Sequence, residues 1–216
     1  MDTKQKARIL EDVKGVLSKH DVLLREVEII RNWKPQSDVW VLLYGRALLA
    51  GAASFTGAYI NLRFRRKLKL RDYGLFPTML GLTAAPAITT SLSYSEVILR
   101  KLLLLDITCP LCLESKAAIL QTFTGLVLPL MLTPIANFAV TSGSGVFNTP
   151  HYSDMKGIFK IVSSTYKPML PKIATLFTLH VLLANVITYL QIKSFIRIKD
   201  IQYIMKLENK DALHVQ

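Results

Sequence analysis

The chain is short of acid and almost without sulfur: 15 Asp and Glu stand against 27 Lys and Arg, and Cys109 and Cys112 are the only cysteines among 216 residues. Two cysteines cannot build the disulfide framework of a small secreted domain. Catalytic signatures are missing too. There is no G-x-S-x-G, no phosphate-cradling G-x-x-x-x-G-K and no H-E-x-x-H, and no apolar stretch holds a pair of carboxylates, so an enzyme is not expected. The four histidines, His20, His151, His180 and His214, are scattered and no second C-x-x-C exists, so neither a metal site nor a cofactor is expected.

The most informative absence is charge over long distances. Residues 73–95, 117–153 and 173–192 carry none, and about 20 apolar residues suffice for a helix to cross a hydrocarbon core about 30 Å thick. Apolar stretches at 39–60, 75–99, 117–140 and 173–192 therefore predict four transmembrane helices. The first contains Arg46, whose cost of about 2.5–3.5 kcal/mol at the bilayer centre is outweighed by its apolar neighbours and relieved by snorkelling toward the nearer end. An apolar share of 51% and a mean hydropathy of +0.34 agree with a membrane protein and leave little sequence for a separate globular domain.

What is present between the spans is positive charge. The net +12 would suggest nucleic acid on one face of a soluble fold, but the basic residues fall in connectors and no aromatic-interleaved basic platform accompanies them, so nucleic acid is not an expected partner. The connector from Asn61 to Arg71 holds Arg63, Arg65, Arg66, Lys67, Lys69 and Arg71, an interfacial cluster suited to anionic lipid or acidic protein surfaces. Residues 1–38 resemble neither a secretory signal nor an acid-poor transit peptide, so targeting is expected to be internal. Ile9, Val13, Val16 and Leu17, then Leu23, Leu24, Val27 and Ile30 recur at helical spacing, which predicts one or two amphipathic helices. The expected organisation is an amphipathic segment 1–38, a four-span domain 39–192 and a polar helical tail 193–216: an all-α four-helix transmembrane bundle.

Within the spans, small residues concentrate in the first. Ala50/Ser54/Ala58 and Ala53/Gly57 form overlapping small-xxx-small pairs, a face for close helix packing in lipid, either inside the chain or against another protein. Pro77 and Pro86 in the second span and Pro129 and Pro134 in the third predict kinks. The polar candidates inside the spans are Arg46, Asn137, His180 and Asn185, the last two five residues apart and so on different faces. No internal repeat accompanies them, which weighs against a transport site. The Gly-rich piece Ser142–Gly145 reads as a connector. Cys109-Pro-Leu-Cys112 fits a small disulfide or a pair of free thiols; catalytic thiol exchange lacks its usual βαβ frame. Sidedness rests on density, because the Lys and Arg totals on the two sides are similar. The short, strongly basic 61–73 connector is expected inside, with both termini and the cysteines outside.

Several pieces in order resemble the transmembrane protein 126 family from about residue 55 to 190. They are Asn61-Leu62-Arg63-Phe64-Arg65-Arg66 entering a second span, Pro86, Asp106 with Cys109-x-x-Cys112, and Thr124-Gly125-Leu126-Val127. Pro150-His151, Lys156-Gly157-Ile158 and Lys167-Pro168 continue the series. The cysteine pair and Lys167-Pro168 are more similar to the A form than to the B form. The resemblance implies a non-catalytic multi-pass protein of the mitochondrial inner membrane that helps assemble the membrane arm of respiratory complex I. Its implied partners are hydrophobic complex I subunits, other assembly factors and anionic inner-membrane lipid. "Inside" is then the matrix, and the cysteines face the intermembrane space, where a disulfide is allowed. A small-solute transporter and a thiol-redox membrane protein are the competing readings.

Overall fold

The computed structural model describes residues 19–107, 109–144 and 155–214. Helix α1 covers 19–32, and a short 3-10 turn at Gln36–Asp38 leads into α2, Trp40–Lys67. Helix α3 runs over Leu75–Leu103 with a π turn at Ser95–Leu99, and α4 starts at Pro110 and ends at Ser144 with a π turn at Phe123–Val127. Helix α5, Met155–Tyr166, passes through a 3-10 turn at Lys167–Met169 into α6, Leu170–His214. Four of these helices are long and apolar enough to cross a membrane. The chain is an all-α, multi-pass membrane protein.

Helix boundaries depart from the hydropathy-based ones in several places. Helix α2 runs through the basic residues to Lys67, because Arg and Lys are good helix formers and favour a C-terminal turn, where they face the negative end of the dipole. Helix α4 starts at Pro110, seven residues before the apolar stretch, with Cys109 as its N-cap: the Cys109 Sγ accepts from the Cys112 N–H at 3.3 Å. Proline fits the first helical position because the N–H it lacks would have no partner there. The same helix continues to Ser144, so the first part of the expected Ser142–Gly145 connector is helical. The tail expected from 193 is continuous with the fourth span: α6 is 45 residues long, about 68 Å at 1.5 Å per residue. Of the expected N-terminal amphipathic segment, 19–32 is helical, whereas Ile9, Val13, Val16 and Leu17 lie outside the described residues.

Helix α2 sits at the centre of the bundle and packs against α3, α4 and α6. The expected small-residue face works inside the chain. A side chain at Gly57 would run into the Leu82 carbonyl of α3, and one at Gly45 would come within 2.7 Å of Gln191 Nε2 on α6. Ser54 Oγ donates to the Thr83 carbonyl at 3.0 Å, while Ala50 and Ala58 are half-buried on the flanks. Gly57 has a further reason to be bare. Pro86 has no N–H to give the Leu82 carbonyl, and that oxygen faces the Gly57 backbone instead.

Apolar packing divides into two clusters. The larger joins Val41, Leu49, Tyr94, Ile98, Leu102, Ala117, Ile187 and Phe195, with Leu23, Ile30 and Trp33 of the α1 segment packed onto it. The smaller lies at the other end, where Phe64, Leu68 and Leu70 meet Phe138, Ile161, Val162 and Tyr166. Phe64 packs edge-on against Phe138, ring centroids 5.9 Å apart. Amphipathic α5 thus caps the bundle with its apolar face. Outward, the spans present Phe55, Leu80, Ile88, Ile119, Met131, Ile135 and Leu182, the apolar band that a lipid surround requires.

Candidate functional site

Polar side chains inside the bundle form a ladder along α2. At the end nearest α1, Tyr94 donates to Gln191 Oε1 at 2.7 Å with Thr188 Oγ1 2.9 Å away, and Gln191 Nε2 donates to the Val41 carbonyl at 3.0 Å. The middle rung centres on His180, which is fully buried. Gln121 Nε2 donates to the Leu49 carbonyl at 3.0 Å, which fixes the amide orientation, and its second proton points to His180 Nδ1 at 3.1 Å. His180 Nδ1 is therefore an acceptor and Nε2 carries the proton, which goes to Thr56 Oγ1 at 3.0 Å. Gly125 makes the room: a Cβ there would lie 2.7 Å from the His180 ring. Beside it, Thr90 donates to Thr124 Oγ1 at 2.8 Å.

The third rung is Asn137, whose Nδ2 donates to Asn61 Oδ1 at 2.8 Å and to the Thr133 carbonyl at 2.9 Å. Asn61 and Asn137 are both fully buried. Proline again leaves its trace here. Pro134 cannot bond the Leu130 carbonyl, and the Tyr166 hydroxyl donates to that oxygen at 2.7 Å. In lipid a backbone carbonyl freed in this way must find a partner within the protein.

Below this rung lies the connector, and here one expectation needs correcting. Arg65, expected among the interfacial cations, is buried at 3% exposure. Its guanidinium donates to the carbonyls of Gly74, Arg71 and Tyr73 at 3.2, 3.0 and 2.7 Å, and to Thr78 Oγ1 at 2.9 Å. The reason is helical register: Gly57, Asn61 and Arg65 are spaced by four and share the inward face. The turn it holds contains Lys69, Arg71 and Gly74 at positive φ of 54°, 43° and 64°. Arg65 is thus a structural keystone. Arg66, Lys67, Lys69 and Arg71 are exposed and Arg63 is half-buried, its guanidinium 5.6 Å from the Tyr59 ring centroid.

The remaining expected residues fall apart spatially. Arg46 is exposed near one end of α2 and donates to Ser95 Oγ, the first residue of the α3 π turn, at 2.8 Å. Asn185 is half-buried and faces a groove between α4 and α6 beside Phe123 and Phe177, away from His180. Cys109 and Cys112 are free thiols; hydrogen bonds from the Cys112 thiol and backbone N–H hold Cys109 below the ordinary thiol range. Among the described residues no three His, Cys, Asp or Glu side chains converge as a metal site would need. Sequence reasoning missed Gln121, Gln191, Tyr94 and Thr56. Gln121 and Gln191 were visible as amides inside uncharged stretches, whereas the partnership of a threonine or tyrosine leaves no sequence mark.

Outside the bundle, α1 lies along the projecting half of α6. Lys199 Nζ meets Glu26 Oε1 at 2.6 Å, and Arg197 pairs with Asp38 at 3.4 Å. Tyr203, Ile204, Met205 and Leu207 on this arm are exposed.

The family model for transmembrane protein 126 matches residues 25–203. The chain belongs to the transmembrane protein 126 family. A Drosophila melanogaster relative named "Transmembrane protein 126" is 30% identical over 90% of this chain and 90% of its own length. The mouse "Transmembrane protein 126A" is 29% identical over 57% of this chain and 62% of its own. These matches include a relative named for the A form and do not sort the chain between A and B. No solved structure matches it.

Proposed function

We propose that this transmembrane protein 126 family member is a non-catalytic scaffold of the mitochondrial inner membrane. It holds hydrophobic membrane-arm subunits of respiratory complex I, with other assembly factors, while that arm is built. Family membership supports the reading through what the resemblance implies. The observation that carries it physically is the extramembrane arm, where Tyr203, Ile204, Met205 and Leu207 stay exposed beyond the fourth span. Apolar side chains gathered on a water-facing helix mark a protein contact. The polar interior, by contrast, is spent on joining α2 to its neighbours, which leaves the outer faces for partners. The proposed orientation puts the 61–73 connector in the matrix and α1, the C-terminal arm and the cysteines in the intermembrane space.

Complexome profiling of native mitochondrial membranes tests this. The chain should co-migrate with complex I subassemblies, and its loss should deplete the mature enzyme; migration apart from every complex I species, with normal complex I in its absence, would refute the proposal. Bulky maleimide should label Cys112 in mitochondria with only the outer membrane opened; labelling that waits for rupture of the inner membrane reverses the orientation.

A thiol-redox reading has one observation in its favour. Cys109 caps a helix N-terminus with its thiol acidity raised by Cys112, the setting in which thiolates form readily. Because its pKa is lowered, alkylation of Cys109 should rise at lower pH than that of an ordinary thiol. A Cys109→Ser/Cys112→Ser chain that still supports complex I assembly removes this reading.

A further inference from the structure

Where α2 leaves the membrane, four cations from two separate helices converge. Arg63, Arg66 and Lys67 come from the last turns of α2, and Lys172 comes from the first turn of α6. Together with Ser164 and Thr165 of α5 they line a basin of about 330 Å³. No carboxylate pairs with any of the four cations among the described residues, whose ion pairs all lie elsewhere. The neighbouring hydroxyls are already committed: Ser164 and Thr165 both donate to the Ile161 carbonyl, at 3.1 and 2.9 Å. Donors facing the basin are therefore ammonium and guanidinium groups alone, and an anion is the ligand they suit.

Depth in the bilayer decides which anion. Arg63 lies three residues past the apolar stretch that ends at 60, and Lys172 immediately precedes the one that starts at 173. Both helices thus pass from hydrocarbon to headgroup level at this basin. Arg63 stands over the ring of Tyr59, one turn toward the membrane, in the aromatic-and-arginine arrangement of an interface. On the membrane side of the basin, Phe55 of α2 and Leu179 of α6, seven residues on from Lys172 and so on its face, are exposed, apolar surface that acyl chains can cover.

We infer that this basin is a binding site for the phosphate headgroup of an anionic phospholipid, seated between the α2 C-terminus and the start of α6 with its chains on the bundle's outer face. The cluster divides in function: Arg65 serves the fold, whereas Arg63, Arg66, Lys67 and Lys172 serve the lipid. Four uncompensated cations suit a headgroup with two phosphates better than one. The inference needs only the membrane-spanning fold and is independent of the assembly role.

The test is lipid selectivity of the full chain in phosphatidylcholine bilayers, read by electron spin resonance of spin-labelled lipids. Selectivity should rise from phosphatidylcholine through phosphatidylglycerol to diphosphatidylglycerol, severalfold in all. Arg63→Gln/Arg66→Gln/Lys172→Gln should bring it close to unity, while Lys69→Gln/Arg71→Gln, which removes two exposed connector cations outside the basin, should keep most of it. Circular dichroism and size-exclusion chromatography report folding; should the triple variant misfold, Lys172→Gln with Lys172→Arg as its charge-preserving partner carries the test. Equal association of charged and zwitterionic lipid, or equal losses in the basin and connector variants, overturns the site. Displacement by inorganic phosphate beyond that caused by chloride at equal ionic strength would make it a free-anion site and also overturn the lipid assignment.

Discussion

The two ends of this bundle handle charge in opposite ways. At the connector end, Arg65 is buried and all its listening partners are backbone carbonyls and one threonine, so a single cation closes the turn between α2 and α3. At the α1 end, Lys199–Glu26 and Arg197–Asp38 are partly exposed pairs that fasten one helix along another. Buried, several-handed hydrogen bonding determines a chain path; a surface ion pair adjusts how firmly two finished elements touch.

Substitutions can break or sharpen that contrast. Arg65→Ala should be the most damaging, costing at least about 3 kcal/mol because several charge-assisted hydrogen bonds vanish and the carbonyls lose their donor. Arg65→Lys should recover little of it, since an ammonium cannot reproduce the guanidinium fork. Thermal unfolding in detergent measures both, and a near-wild-type Arg65→Ala would end the keystone argument. Gly57→Ala comes next, at about 1–3 kcal/mol, because the new methyl meets a carbonyl of α3 rather than a flexible side chain.

Gln121→Leu should cost about 1 kcal/mol, the usual scale of interhelical hydrogen bonds in membranes. It also frees His180 Nδ1 from its donor. Nuclear magnetic resonance of the imidazole should then show loss of the Nε2–H tautomer preference; an unchanged tautomer would mean that Thr56 alone sets it. Lys199→Ala should be the mildest, below about 1 kcal/mol, and the difference should shrink in high salt. A Lys199→Ala effect as large as that of Arg65→Ala would erase the distinction between the two ends.

The span pattern was legible because lipid imposes a simple demand, long uncharged stretches, and the four spans follow from it. Boundaries were less so. Glu114 and Lys116 lower the hydropathy of the first turns of α4 without lowering helix propensity, which hid the seven residues from Pro110 onward. The identity of the buried cation was masked by its neighbours: among six Lys and Arg, only the spacing of Gly57, Asn61 and Arg65 marked the inward one. The π turns at Ser95–Leu99 and Phe123–Val127 have no local sequence signature that periodicity detects. Asn137 and His180 were picked out as polar candidates, but their partners on other helices depend on the rotation of each rod, which packing sets.

Helix α6 has one mechanical consequence. An unbroken helix that is membrane-embedded over its first half and continues beyond the bilayer with α1 packed along it behaves as a lever with its fulcrum at the bilayer surface. Its outer part, 193–214, is about 33 Å long, so a change of tilt of about 10° in the lipid, within the ordinary range for such helices, carries the tip about 6 Å sideways. Whatever crowds the fourth span inside the membrane is thereby reported, without any hinge, to the opposite end of the rod.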